Sequence, residues 1–237
     1  MNVKKNILRL ALTTTLAAGA LVLHDSPAAA SGLPGWSWNL SRDLLVDVGT
    51  GNTLVSNPLN NAWTFLDSGS GPFLVPSPTG VCWGGVPDIT CWEDPTAGYR
   101  NSAMVGVSLK DVGTLACPSV IPLIEGVPIM HPGPGSDAIV RWTNPFNHPL
   151  NIQILGRFTV IDPCGQGDGV AWSISDQNGT LASGALSDAF SVPYDTDLFY
   201  IVTTVNAGDT IDFVVNNGGN NDYYYDGTEL DVLIVGQ

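Results

Sequence analysis

The run "TIDFVV" at residues 210–215 alternates with a period of two. Ile211, Phe213 and Val215 fall on one side and Thr210, Asp212 and Val214 on the other. That is the signature of a strand with one face buried. "AIVRWT" (138–143), "NIQILGRFTVI" (151–161), "GVAWSIS" (169–175), "LFYIVTTV" (198–205) and "ELDVLIV" (229–235) also read as strands. The 27 glycines and 17 prolines are spread along the chain and cut it into short segments. Helical periodicity is nearly absent beyond residue 30. The expected fold class is all-β, an antiparallel β-sandwich with little helix.

Turn chemistry supports that reading. In "DQNGT", Asn178-Gly179 suits a type I′ hairpin turn, which needs positive φ at both central residues. "NAGDT" (206–210) sets a tight connection that predicts 198–205 and 210–215 as antiparallel neighbours. The earlier half is more irregular, with "LLVDV" (44–48), "AWTFLD" (62–67) and "AMVGVSL" (103–109) as its strand candidates. A single sandwich domain over 31–237 is expected, irregular over 31–130 and best defined over 131–237. A boundary near 126–132 is the alternative.

Residues 1–30 have the pattern of a cleaved secretory signal peptide. Lys4, Lys5 and Arg9 precede the short apolar run "LALTTTLAAGALVL", and Ala28 and Ala30 offer a small-residue cleavage site. The expected location is secreted, extracellular or periplasmic, without membrane insertion after cleavage. The formal net charge is −14, and Lys110 is the only lysine beyond the leader. Such a surface repels phosphate backbones and anionic lipid, which argues against nucleic-acid binding and electrostatic membrane attachment. Beyond the leader only Glu93, Glu125 and Glu229 are glutamates among many aspartates, a bias toward loops.

Cys82, Cys91, Cys117 and Cys164 are an even number for an oxidising compartment, and none forms a C-x-x-C pair. The Gly- and Pro-containing stretch "CWGGVPDITC" favours a Cys82–Cys91 bridge, leaving Cys117–Cys164 as the second, among three possible connectivities.

"HPGPGSDAIVRWTNP" (131–145), "GRFTVIDPCGQGDGVAWSI" (156–174) and "VNAGDTIDFVVNNGGNNDYYYDGTELDV" (205–232) together resemble a secreted bacterial β-sandwich module. That module recurs in exported surface proteins, some of them sorted by a PEP-CTERM tail. The resemblance implies a jelly roll similar to carbohydrate-binding modules, and "HPGP" is a structural motif of the pattern.

No catalytic constellation stands out, and no residue is assigned a catalytic role. His131 and His148 each sit beside proline, no G-x-S-x-G elbow is present, and neither H-x-H nor H-E-x-x-H occurs. With this many carboxylates some glycosidase-like pair is always available, so availability carries no weight. Aromatic residues are the stronger lead, because sugar C–H faces stack on flat rings while Asn and Asp bond the hydroxyls. Alternation places Trp142 and Trp172 in the core, whereas Trp83 and Trp92 flank the proposed disulfide loop. In "NGGNNDYYYDG" (217–227), an extended chain would turn Tyr223 and Tyr225 inward and Tyr224 with Asp226 outward.

The expected ligand-binding set is therefore Tyr224, Asn220, Asn221, Asp226, Trp83 and Trp92. Asp162, Asp168, Asp222 and Asp226 are the candidates for a structural Ca²⁺ site. The leading function is non-catalytic binding of an extracellular glycan or matrix component. A structural or adhesive surface protein that binds protein partners is the alternative, and a secreted hydrolase ranks third.

Overall fold

The structure, a computed structural model, describes residues 36–49, 62–67, 74–76, 82, 88–94, 102–116, 119–162, 169–187, 194–218 and 222–237. The leader and the Cys117–Cys164 pairing lie outside the described residues. The chain from Pro34 to Gln237 forms one compact unit.

In chain order the elements begin with β1 (Ser37–Asn39), α1 (Leu40–Gly49), β2 (Trp63–Asp67), β3 (Val75–Pro76), β4 (Ile89–Glu93) and β5 (Met104–Ser108). They continue with β6 (Val112–Ala116), β7 (Ser119–Leu123), β8 (Pro128–His131), β9 (Ala138–Thr143) and β10 (Leu150–Val160). The last are β11 (Val170–Asp176), β12 (Gly179–Leu186), β13 (Thr196–Val205), β14 (Thr210–Asn216) and β15 (Thr228–Gly236). The larger sheet runs β13-β10-β15-β8-β5-β4-β3, with β1 also on β15. The second runs β12-β11-β14-β9-β2, and β6-β7 form a separate hairpin. All the pairings are antiparallel. The early strands complete sheets formed by the later ones: β2 pairs with β9, and β5 with β8.

The core fills the space between the two sheets. Ile152, Ile154 and Phe158 of β10 and Leu230, Val232 and Ile234 of β15 meet Trp172, Ile174, Ile211, Phe213 and Val215 of the opposing sheet. Phe158 stacks on Trp172 with ring centroids 4.9 Å apart, and Trp38 meets Trp142 edge-on at 5.0 Å. Two indoles find carboxylate partners. Trp172 Nε1 donates to Asp197 Oδ2 at 2.8 Å, and Trp63 Nε1 donates to Asp43 Oδ2 at 2.9 Å. Burying a Trp N–H without a partner is costly, so each aspartate stabilises the ring it serves.

The "VRWT" and "TIDF" segments are explained by one contact. On β9 and β14, Arg141 and Asp212 are directly opposite on the outer face. The guanidinium makes a bidentate pair with the carboxylate, Nε to Oδ1 at 2.6 Å and Nη2 to Oδ2 at 2.7 Å. That hydrogen bonding raises the Arg141 pKa further.

A second apolar cluster lies apart from the main core. Cys82, Ile89, Cys91, Met104, Ile129 and Ile161 pack there with Ile121 and Leu123 from the β6-β7 hairpin. The expected Cys82–Cys91 disulfide sits inside it.

Three local expectations are corrected. "LLVDV" is helical, the middle of α1. Asn39 Oδ1 accepts from the Arg42 N–H at 2.8 Å as an N-cap, and Leu40 and Leu44, four apart, are buried together. The hairpin at "DQNGT" exists, but Asp176 pairs with Gly179, so Gln177-Asn178 are its central residues and neither has a positive φ. The Asp176 carboxylate accepts from the N–H groups of Asn178 and Gly179, which holds this turn in place of type I′ geometry.

Finally, β13 and β14 are not neighbours. They belong to different sheets, and 206–209 crosses between them. Asn144 fixes that crossing. Its side-chain amide donates to the Asn206 and His148 carbonyls, and its N–H donates to the Asp209 carbonyl.

Candidate functional site

Strand registers bring many loops to one end of the sandwich. Asp67 at the close of β2 is opposite Ala138 at the start of β9, and Thr196 and Thr228, each opening its strand, sit at the close of β10. Five connections cross between sheets there: 68–74, 132–137, 161–169, 187–195 and 217–227. The described residues of these connections and strand ends include Asp67, Glu93, Asp94, Asp137, Asp162, Asp195, Asp222 and Asp226, and no Lys or Arg. The Ile161 N–H donates to the Gly227 carbonyl at 2.8 Å, tying the two aspartate-rich loops together.

The tyrosines stand at this end. Tyr224 and Tyr225 form a turn rather than extended chain, and Tyr225 has φ +73°. A left-handed conformation at a residue with a large side chain stores strain and commonly marks a site where the surroundings fix a side chain. The Asp222 carboxylate accepts from the Tyr224 N–H at 3.0 Å and fixes the entry to the turn. The rings of Tyr223 and Tyr224 stack at 4.5 Å with planes 27° apart, and Tyr225 follows at 6.3 Å from Tyr224. His131, at the end of β8, meets Tyr223 edge-on at 6.4 Å.

Tyr224 is the exposed ring of the three, at 48%. The expectation that it faces solvent holds, but the alternation used to reach it does not. Tyr223 and Tyr225 are half-buried instead of core residues, because the turn sets all three rings side by side.

Asp226 departs from its expected place. It is fully buried, so its carboxylate does not stand beside Tyr224 in solvent. Trp92 is corrected as well: it is 2% exposed and packs on Phe65 at 4.6 Å, inside the core where no ligand ring reaches it. Trp83, Asn220, Asn221 and Asp168 lie outside the described residues.

Of the proposed cation ligands, Asp162 and Asp226 are buried at this end and Asp222 is half-buried. Among the described residues no three His, Cys, Asp or Glu side chains gather closely enough to hold a metal ion. The described set alone does not make a calcium site.

The "HPGP" segment has a structural role. Gly133 and Ser136 exchange backbone hydrogen bonds around Pro134-Gly135, and Gly135 has φ +75°. A Cβ on Gly133 would strike the Ala103 N and Ser102 C atoms, both at 2.6 Å, so only glycine allows this turn to lie on the start of β5. His131 Nδ1 contacts the carbonyl of Pro132 at 2.7 Å.

Several ionisable groups at this end escaped the sequence reading. Burial, and then the neighbouring Asp67 charge, push the Asp137 carboxyl up. Asp195 is pulled down because Ser187 donates to it through both its N–H and its hydroxyl. Glu229, on β15, is pushed up to about 7 by burial, with Asp231 adding to the rise and Arg157 opposing it. Burial, and then the charges of Glu229 and Asp162, raise the phenol of Tyr194. Glu229 lies in an alternating strand at a position that could equally face solvent, so its burial leaves no mark in the sequence.

The class defined by this architecture is an antiparallel β-sandwich with an acidic, tyrosine-bearing loop end. No family model matches the chain, and no curated protein matches it. Similar solved structures include a family 51 carbohydrate-binding module from Clostridium perfringens in complex with methyl-galactose. That pair is 11% identical with TM-score 0.33, over 53% of this chain and 80% of the module. A family 35 carbohydrate-binding module from Clostridium thermocellum is 11% identical with TM-score 0.30, over 56% of this chain and 90% of the other. The family 35 module from Paenibacillus barcinonensis is 12% identical with TM-score 0.30, over 62% and 97%.

Proposed function

We propose that the protein is an exported, non-catalytic binder of extracellular carbohydrate, and that the Tyr223–Tyr224 stack is its binding platform. The observation that carries this reading is the exposed Tyr224 ring on a strained turn, backed on one face by Tyr223. One ring face is already covered, so the other is presented rigid and flat at little entropic cost to a ligand. A saccharide stacks its C–H face on such a ring. The acidic surroundings disfavour anionic polysaccharides, so the expected ligand class is a neutral glycan.

Replacing Tyr224 with Ala should weaken binding to a neutral glycan roughly tenfold, on the scale of about 0.5–1.5 kcal/mol for an aromatic contact beyond its buried area. The exposed position means the melting temperature should stay within about 2 °C of the parent. Isothermal titration against a panel of neutral and acidic polysaccharides decides the matter. Normal binding by the variant, or no binding by the parent across the panel, removes this reading.

Calcium belongs to the same proposal. Asp162 and Asp226 would supply carboxylates, and Asp168 or backbone carbonyls of the same loop would complete the six to eight oxygens Ca²⁺ takes. Added Ca²⁺ should then raise the melting temperature and chelator should lower it. An unchanged midpoint at millimolar Ca²⁺ excludes the site. Membership of the exported-module family, passage through the secretory route and cleavage of residues 1–30 are proposed on the sequence motifs alone.

A structural or adhesive protein is the second reading. The observation favouring it is a row of exposed apolar side chains on β13.

A further inference from the structure

β13 ends the larger sheet, and among the described residues no strand pairs with its free side. It runs ten residues, Thr196–Val205, without a proline, a lysine or a register shift against β10. Edge strands of this length are usually blunted by such devices, because their unpaired N–H and C=O groups invite another strand.

The hydrogen bonding shows which groups are free. The Val160 N–H donates to the Asp195 carbonyl at 3.1 Å, across the β10–β13 register. Pairs in an antiparallel ladder alternate between bonded and non-bonded. Odd-numbered residues of β13 therefore point their backbone groups at β10. Thr196, Leu198, Tyr200, Val202 and Thr204 direct theirs to the open edge, where the Thr196 N–H already donates to the Asp195 carboxylate at 3.1 Å.

The side chains of the same five residues face outward. Leu198, Tyr200 and Val202 are 80%, 61% and 60% exposed. Beside them on β10 lie Leu155, opposite Tyr200, and Gln153, opposite Val202. Among the described residues the exposed charges on this part of the face are Arg157 and Asp231, opposite one another as a loose pair at 3.8 Å, with Glu229 buried beyond them. In a chain of net charge −14, this is a nearly neutral face.

The row Thr196, Leu198, Tyr200, Val202, Thr204 is also chemically palindromic. Turned about Tyr200, Thr meets Thr, Leu meets Val, and Tyr meets Tyr. Every one of those pairs joins residues whose backbone groups point at the open edge. The inner row fits as well, with Phe199 facing Ile201 and Asp197 facing Thr203. No two like charges are opposed.

We infer that a second copy of this chain pairs with β13 across a two-fold axis at Tyr200, joining two larger sheets into one continuous antiparallel sheet. Such a contact is isologous and closes on itself. Five bonded pairs give about ten backbone hydrogen bonds, about eight of them without displacing the Asp195 carboxylate from the Thr196 N–H, and this is close to the number a standard protein interface carries. Neutrality at the seam lets two strongly acidic copies approach where repulsion is least. This inference does not depend on the glycan reading, since the tyrosine turn lies on a different segment.

Sedimentation of the purified protein at about 100 µM is the test, well above the micromolar Kd expected of an interface at the small end of the range. A dimer is expected for the parent. Tyr200→Pro removes one N–H at the axis and should give a monomer. Leu198→Lys with Val202→Lys should do the same with β13 intact, and this decides the matter if the proline variant does not fold. Tyr200→Cys should form a covalent dimer on oxidation, because bonded partners lie about 5.5 Å apart at Cα, within disulfide reach. Thr204→Cys, far from the axis, should not. A monomeric parent overturns the proposal, as does a dimer that survives either edge variant. Open-ended polymers would overturn the two-fold arrangement, and a partner strand from another protein without self-association would overturn the second copy.

Discussion

Glu229→Gln is expected to stabilise the protein at pH 8 by about 3 kcal/mol and to leave it nearly unchanged at pH 4. The Glu229 carboxyl is 7% exposed, and its Oε1 has no hydrogen-bond partner among the described residues. Burial lifts its pKa from the ordinary 4.5 to about 7. Between those values the folded chain holds a proton that the unfolded chain has released. Stability from this group is therefore complete below about pH 4.5 and declines as pH rises through about 7. The groups facing it are Arg157 from β10, Asp231 on its own strand, and Tyr194 from an adjoining loop.

Gln imitates the protonated acid and cannot ionise, so it should remove this part of the decline. Other carboxylates act in the opposite sense: Asp195, held low by Ser187, contributes stability that is lost on acidification. The informative quantity is therefore the difference between parent and variant, measured by urea unfolding from pH 4 to 8. Parallel curves across that range would show that Glu229 is ionised in the folded state at no cost.

Gly156→Ala should cost about 3 kcal/mol, at the upper end of what overpacking usually does. Gly156 lies in the middle of β10, where glycine is normally a weakness. Here it makes room for a ring. An added Cβ would stand 2.6 Å from Cζ and 3.0 Å from Cε2 of Phe199, its cross-strand partner, and would also strike the Asp231 carbonyl. Phe199 packs on Phe158 and Phe213, so it has little freedom to retreat. For a chain of this size the midpoint should fall by roughly 10 °C. Gly156→Ala with Phe199→Leu should recover part of the loss if the ring is the obstacle. A melting temperature within about 2 °C of the parent for Gly156→Ala would refute the packing argument.

Gly156 illustrates what the sequence conceals. It appears there as a glycine within a strand-like run, and the ring it accommodates is more than forty residues away. Arg141 and Asp212 are a similar case: both appear in recognisable segments, but only the β9–β14 register makes them a pair. By contrast, the Cys82–Cys91 bridge was readable, because the two cysteines are separated by nine positions in a stretch with Gly and Pro. The α1 cap was also readable in "NLSRDLL", where Asn39 precedes Leu40 and Leu44 in helical spacing. A reading set on alternation passed over it.

The tyrosine turn lay between these cases. Alternation presumes an extended chain, and 223–226 is not extended. Exposure of Tyr224 was reached by an argument whose premise fails, and the burial of Asp226 shows the failure. Asp222 and the positive φ of Tyr225 decide the turn, and backbone strain of that kind is sustained by surroundings that the local sequence does not describe.

By itself, then, the sequence determined the all-β class, the positions of the longer strands of the later half and the buried face of β9, β11 and β14. These depend on the hydrophobicity of neighbouring residues, which a period of two exposes directly. Only the tertiary structure decided which strand lies beside which, placing β13 on β10 rather than β14 and leaving its palindromic row at an open edge. Backbone hydrogen-bonding groups are the same on every strand, so they carry no address. Partners are chosen by the fit of distant side chains such as Phe199, Gly156 and Trp172, and by crossings such as the one Asn144 holds.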